Sequence, residues 1–181
     1  RLWLLSEGVI QCALTYSPQL RPGFDVQQIL QEELILVASW PEPTLDLDGR
    51  YVFIDWGPEF VRAHALSMPE LKNSGLTMSL GALGADYVIN RRAAAYLPAR
   101  YVQRHLDAGE LHLVPDAPRF PYPIWVVWRE DVDPIMRAAA SASLAAITGE
   151  LGKIQSNILS DLANLSGDAE TLVLGEAENG H

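Results

Sequence analysis

The chain has 181 residues, 23 acidic against 13 basic, for a formal charge of −10; 49% of residues are apolar and 20% are charged. That balance is globular rather than disordered. It excludes a nucleic-acid grip or an anionic-membrane anchor through this chain, because Arg91-Arg92 is the only tight basic cluster. No apolar run nears the roughly 18 residues of a membrane span.

In chain order, Arg1 to Gly8 reads as the last turns of a helix closed by glycine, and so as a piece of something longer. Residues 9–16 read as a strand. Within it Cys12, the one cysteine, can form no internal disulfide and reads as a buried small hydrophobe. Residues 26–30 and 34–39 read as two strand pieces, 51–55 as another, and 59–68 as a helix with Phe60, Ala63 and Leu66 on one face. A short strand over 76–80 leads through Gly81-Ala82-Leu83-Gly84 into a helix over 85–92. Residues 93–97 read as a strand and 98–108 as a helix started by Pro98 and closed by Gly109. Strands over 111–114 and 124–128 flank a link holding Pro115, Pro118, Pro121 and Pro123. Asp133-Pro134 starts a final helix. Strands alternating with helices imply a largely parallel sheet.

Beyond Pro134, Leu144, Ile147, Leu151, Ile154, Ile158, Leu162 and Leu165 recur at steps of 3 or 4. This stripe packs either on its own lobe or on a second chain. Thr148-Gly149 predicts a break or kink in it. From Gly167 the acidic tail reads as solvated and mobile.

Chemistry is sparse. His64, His105, His112 and His181 form no i, i+3 or i+4 pair, and no zinc spacing is present. His64 and His105 read as surface or boundary residues of helices. There is no serine-hydrolase elbow, phosphate loop or dinucleotide fingerprint. Thr44-x-Asp46-x-Asp48-Gly49 is a poor calcium loop, with Thr first and Asp55 twelfth. No catalytic constellation, metal site or cofactor is expected. Gly81-x-x-Gly84 is either a tight turn or a helix mouth that admits an anionic or polar ligand. Large aromatics gather near chain breaks: Trp40, Trp56, Phe60, Tyr122, Trp125 and Trp128. Trp56, before Gly57-Pro58, serves either as pocket lining or as core.

Five segments, in order, carry a resemblance. Leu4-Leu5-Ser6-Glu7-Gly8-Val9-Ile10-Gln11-Cys12-Ala13-Leu14 is similar to an "LxxGxLDxAL" segment, and Glu32-Glu33-Leu34-Ile35-Leu36-Val37-Ala38-Ser39 to "ExLxLVAS". Arg92-Ala93-Ala94-Ala95-Tyr96-Leu97-Pro98 stands where "GxGIALLP" is expected, with Asn90-Arg91-Arg92 in place of the usual glycines. His105-Leu106-Asp107-Ala108-Gly109-Glu110-Leu111 resembles "LxxGxL", and Ile124-Trp125-Val126-Val127-Trp128-Arg129 the strand before the last helix. Together they resemble the effector-binding regulatory domain of LysR-type transcriptional regulators.

The resemblance implies a two-lobed α/β fold like type 2 periplasmic binding proteins, with mixed sheets flanked by helices. Lobe I would hold 1–48 and 122–150 and lobe II 49–121, with a helical extension over 151–166 and an acidic tail over 167–181. The family's winged helix-turn-helix, first strand and most of its first helix are not in this chain. A small-molecule effector would sit between the lobes. Promoter DNA would be reached through the absent N-terminal domain in a cytoplasmic homodimer or homotetramer. The carried-over effector contacts are Tyr16, Ser39, Trp40, Trp56, Gly57, Phe60, Ser79 and Gly81. Ser79 serves either as a hydroxyl donor or as an ordinary helix cap. The alternatives are a transporter's solute-binding protein of the same fold, and an enzyme on this scaffold.

Overall fold

The computed structural model describes residues 2–71, 77–78 and 83–166. In chain order the elements are α1 (Leu2–Ser6), β1 (Cys12–Thr15), β2 (Phe24–Leu30), β3 (Glu33–Ala38), β4 (Phe53–Ile54), α2 (Pro58–Ser67) and β5 (Thr77–Met78). They continue with α3 (Leu83–Arg91), β6 (Ala94–Pro98), α4 (Ala99–Asp107), β7 (His112–Leu113), β8 (Phe120–Pro121), β9 (Ile124–Arg129) and α5 (Pro134–Leu165). The expected elements are present, most with trimmed ends. The two-residue β8 was missed because Pro121 and its flanking prolines read as a strandless link.

The chain divides into two compact units, one of 1–32 with 122–153 and the other of 33–121 with 154–181. The first boundary falls between Glu32 and Glu33, not after Asp48, because β3 pairs with β6, β7 and β8 of the second unit.

In the first unit β9 is the middle strand, antiparallel to β1 on one side and β2 on the other. Its apolar alternation turns Val126 and Trp128 inward with Val132, and Cys12, Ile29, Ala140 and Leu144 pack against them. Cys12 is half-buried rather than sealed, and its burial raises the thiol pKa. α1 ends as expected: Gly8, at φ 73°, is the left-handed residue, and Val9 N–H donates to Leu4 O and Gly8 N–H to Leu5 O. Arg129 donates from Nη1 to Leu5 O at 3.0 Å and pairs with Asp131, which ties that helix end to β9. Asp133 caps α5, its Oδ1 accepting from the N–H groups of Ile135 at 2.8 Å and Met136 at 3.0 Å.

In the second unit β3 is buried from Leu34 to Ala38. β6 lies antiparallel on one side of it, and β7 and β8 pair with it antiparallel on the other. The expectation of a largely parallel sheet is therefore corrected. The crossover is real, since β6–α4–β7 returns the chain in the same direction. The strand between β6 and β7, however, is β3, which runs the opposite way. Parallel pairing among the described residues is limited to β4 with β5 and a Tyr51–Ala94 bridge. The glycines expected at the end of α3 are replaced by Arg92 in a left-handed turn at φ 50°, with Ala93 N–H donating to Val88 O.

α5 is continuous, which corrects the break predicted at Thr148-Gly149. A helical glycine costs roughly 1 kcal/mol. Downstream burial outweighs that: Ile158 and Leu162 are buried in the second unit, each gaining about 1.5–3 kcal/mol from leaving water. Polar anchors add to this. Gln155 Oε1 accepts from Glu33 N–H at 2.8 Å, and Ser166 Oγ accepts from Asp116 N–H at 2.8 Å. The later half of the stripe thus packs on its own chain, while Ile147 remains 58% exposed.

Candidate functional site

The sequence-marked residues divide between the units. In the first, Tyr16 follows β1 and is exposed. Its ring lies nearly flat on Tyr122, with centroids 4.2 Å apart and planes 12° from parallel. Tyr122 is itself buried and fixed by its N–H, which donates to Glu32 O. One face of an aromatic shelf is therefore held rigid from behind. Sequence reasoning noted Tyr122 only as an aromatic near a chain break; no spacing signal joins it to Tyr16.

In the second unit Ser39 and Trp40 end β3. The Ser39 hydroxyl reaches two backbone carbonyls, Val88 O at 2.9 Å and Ala93 O at 3.1 Å. Its single proton is committed to the turn between α3 and β6. Trp40 is half-buried, with the Arg50 guanidinium 3.7 Å from its ring centre. The stack presents a delocalised cation beside an indole. Arg50 was not anticipated, since a lone arginine at a loop end carries no pattern.

Trp56 is 9% exposed, and its Nε1–H donates to Tyr96 O at 2.8 Å. Phe60 is buried in a ring cluster, with centroids 5.7 Å from Phe53, 5.7 Å from Tyr96 and 5.3 Å from Phe120. Of the two roles open to Trp56, these contacts describe core packing. Gly57, between them, is different. At φ 114° it holds a conformation that disfavours other residues, and no atom stands within 4 Å of where a side chain would begin. Its N–H donates to Asp55 Oδ1 at 2.8 Å, and no side chain caps α2. Ser79 and Gly81 lie outside the described residues. Gly84 has a packing role: a Cβ there would stand 2.6 Å from Ile54 Cδ1.

Both helical histidines are buried, which corrects their reading as surface or boundary residues. His105 is fully satisfied. Arginine only donates, so His105 Nε2 accepts from Arg104 Nε at 3.1 Å, and Nδ1–H donates to Glu110 Oε2 at 2.7 Å. His64 Nε2 meets the Tyr51 hydroxyl at 2.8 Å. Burial pushes the His64 pKa down and that of Tyr51 up. At the start of β3, Glu33 faces Arg119 at 3.3 Å; burial raises its carboxyl pKa and the guanidinium opposes the rise. Among the described residues no group of three or more His, Cys, Asp or Glu side chains converges as a metal site, and no helix is long and apolar enough to cross a membrane.

Comparison with known proteins gives these groups a context. The family model for the LysR substrate binding domain matches residues 1–147, and the chain belongs to that family. No curated protein matches it. Among solved structures, the bromide-bound regulatory domain of HypT from Salmonella typhimurium is similar, with a TM-score of 0.65 and 16% identity over 82% of this chain and 77% of that one. DarR from Vibrio fischeri in complex with DNA gives a TM-score of 0.65 and 16% identity over 80% of this chain and 53% of that one. Full-length LysG from Corynebacterium glutamicum with bound effector Arg gives 0.58 and 16% over 82% and 55%. The fold is that of LysR regulatory domains. The chain spans about half the length of the full-length regulators it matches.

Proposed function

We propose that the chain is the effector-sensing and oligomerising domain of a cytoplasmic bacterial LysR-type transcriptional regulator, and that it makes and breaks no covalent bond. The carrying observation is the family match over 1–147. The candidate effector contacts are, in the first unit, Tyr16 on its Tyr122 backing and, in the second, Trp40 with Arg50 and the open turn at Gly57. Ser39 supplies acceptor lone pairs, Trp56 and Phe60 fix the Gly57 turn from behind, and Ser79 and Gly81 complete the proposed set. The effector acts by binding one conformational state better than another. Promoter DNA is reached through a separate winged helix-turn-helix domain. That division of labour fits a charge of −10 here, which repels DNA. Self-association is supported by the apolar exposure of Val9, Ile135 and Ile147.

The test is a thermal-shift screen of small metabolites on the purified chain, followed by Tyr16→Ala and Trp40→Ala. The reading expects a hit whose shift both variants reduce, with melting in the absence of ligand little changed. A hit indifferent to both variants contradicts the assignment. Sedimentation at micromolar concentration checks the association, and a strict monomer counts against it.

A further inference from the structure

A cavity of about 550 Å³ opens beside α2, walled by Phe53, Val61, Ala65, Met68 and Leu71, with His64 its one polar side chain among the described residues. Among the described residues it shares none with the proposed effector contacts. Its volume is within the usual range of small-molecule sites, about 300–1,000 Å³.

His64 makes this more than an apolar recess. The side chain is 4% exposed, and its ring is oriented by Tyr51 through Nε2 and by the rings of Phe53 at 5.1 Å and Phe60 at 5.4 Å. Nδ1 has no hydrogen-bond partner among the described residues. Nor is it among the sealed side-chain atoms left without one, so it opens onto the cavity it lines. A polar atom so placed gains from any partner that reaches it, and an apolar occupant would leave it unpaired.

The chemistry of the occupant follows. Among the described residues the wall carries no charged side chain, so an ion would meet no counter-charge from them to offset its lost hydration. Burial favours the neutral form of the imidazole. In one tautomer Tyr51 donates to Nε2 and Nδ1–H faces the cavity as a donor; in the other Nδ1 is an acceptor. A hydroxyl group both donates and accepts, so it matches either. We propose that this cavity is a second ligand site, taking an uncharged aromatic or alicyclic molecule with one hydroxyl group, its ring against Phe53, Val61 and Met68 and its hydroxyl on His64 Nδ1.

The experiment titrates phenol, and toluene as the same ring without the hydroxyl, against uniformly 15N-labelled protein carrying 13C-methyl methionine. Phenol moves the Met68 methyl and His64 ring resonances saturably, while the Tyr16 and Gly57 amides stay in place. Toluene binds about tenfold more weakly, the worth of one hydrogen bond. His64→Phe erases the difference between the probes. Val61→Trp, at an exposed mouth position, abolishes binding of both with melting unchanged. The proposal is overturned if neither probe moves Met68, if phenol and toluene bind alike to the unaltered protein, or if Val61→Trp leaves binding intact.

Discussion

Two tryptophans separate the two units. Trp128, in the first, is 1% exposed, and its Nε1–H has no hydrogen-bond partner among the described residues. Trp56, in the second, is 9% exposed, and its Nε1–H donates to Tyr96 O at 2.8 Å. The first unit packs Trp128 among aliphatic side chains on a three-stranded sheet. The second packs by interlocking rings, with Tyr96 and Phe120 4.9 Å apart, edge to face, and polar tips that find partners, as Tyr96 OH does at Pro118 O. Ring edges and tips have directions, so the second core fixes geometry where the first only excludes water. The lesson concerns placement: the half-buried Trp40 and the open Gly57 turn sit on the unit whose core is directional.

The largest expected effect probes that directional core. Phe120→Ala, which removes a fully buried ring, should cost about 3–5 kcal/mol in urea denaturation. Ile29→Ala, in the partly buried margin of the first core, should cost markedly less; equal losses would erase the contrast.

The tryptophans themselves give the next test. Trp56→Phe loses a made hydrogen bond, and Trp128→Phe removes a donor that was never satisfied. The first should therefore cost about 1–2 kcal/mol more than the second. The reverse order in matched melts would refute the reading of the two indoles.

Acid should also act on the second unit. Burial holds the folded-state His64 pKa below its ordinary value of 6.5. The unfolded chain thus takes up a proton that the folded one resists, and stability is full above about pH 6.5 and falls below it. Between pH 7.5 and 5.5 denaturation midpoints should drop, and His64→Phe should flatten the drop. An unchanged slope would remove His64 as its source.

The smallest effect is a gain. Gly149 is exposed in the middle of α5 with open space around it, so Gly149→Ala should stabilise by about 1 kcal/mol. A loss would mean that the helix needs freedom there.

The sequence made most elements legible because their signals are local. The apolar run at Leu34 marks β3, Asp133-Pro134 marks the start of α5, and Gly8 marks a helix end. What escaped is decided at long range. The strand between β6 and β7 is supplied by a segment far upstream. The burial of His64 and His105 depends on partners at Tyr51 and Glu110 that no helical period reveals. The unbroken course of α5 through Gly149 depends on anchors at Ile158 and Leu162. Of the candidate residues the sequence marked Tyr16 and Trp40 but not the groups stacked on them, Tyr122 and Arg50, because stacking pairs have no fixed spacing.

The central claim is that this domain senses a small molecule and returns it unchanged. Native mass spectrometry of the purified chain with the best thermal-shift hit tests it most directly. The account predicts one molecule per chain, released with its mass unaltered after prolonged incubation, and lost on Trp40→Ala. Accumulation of a product of different mass would contradict it.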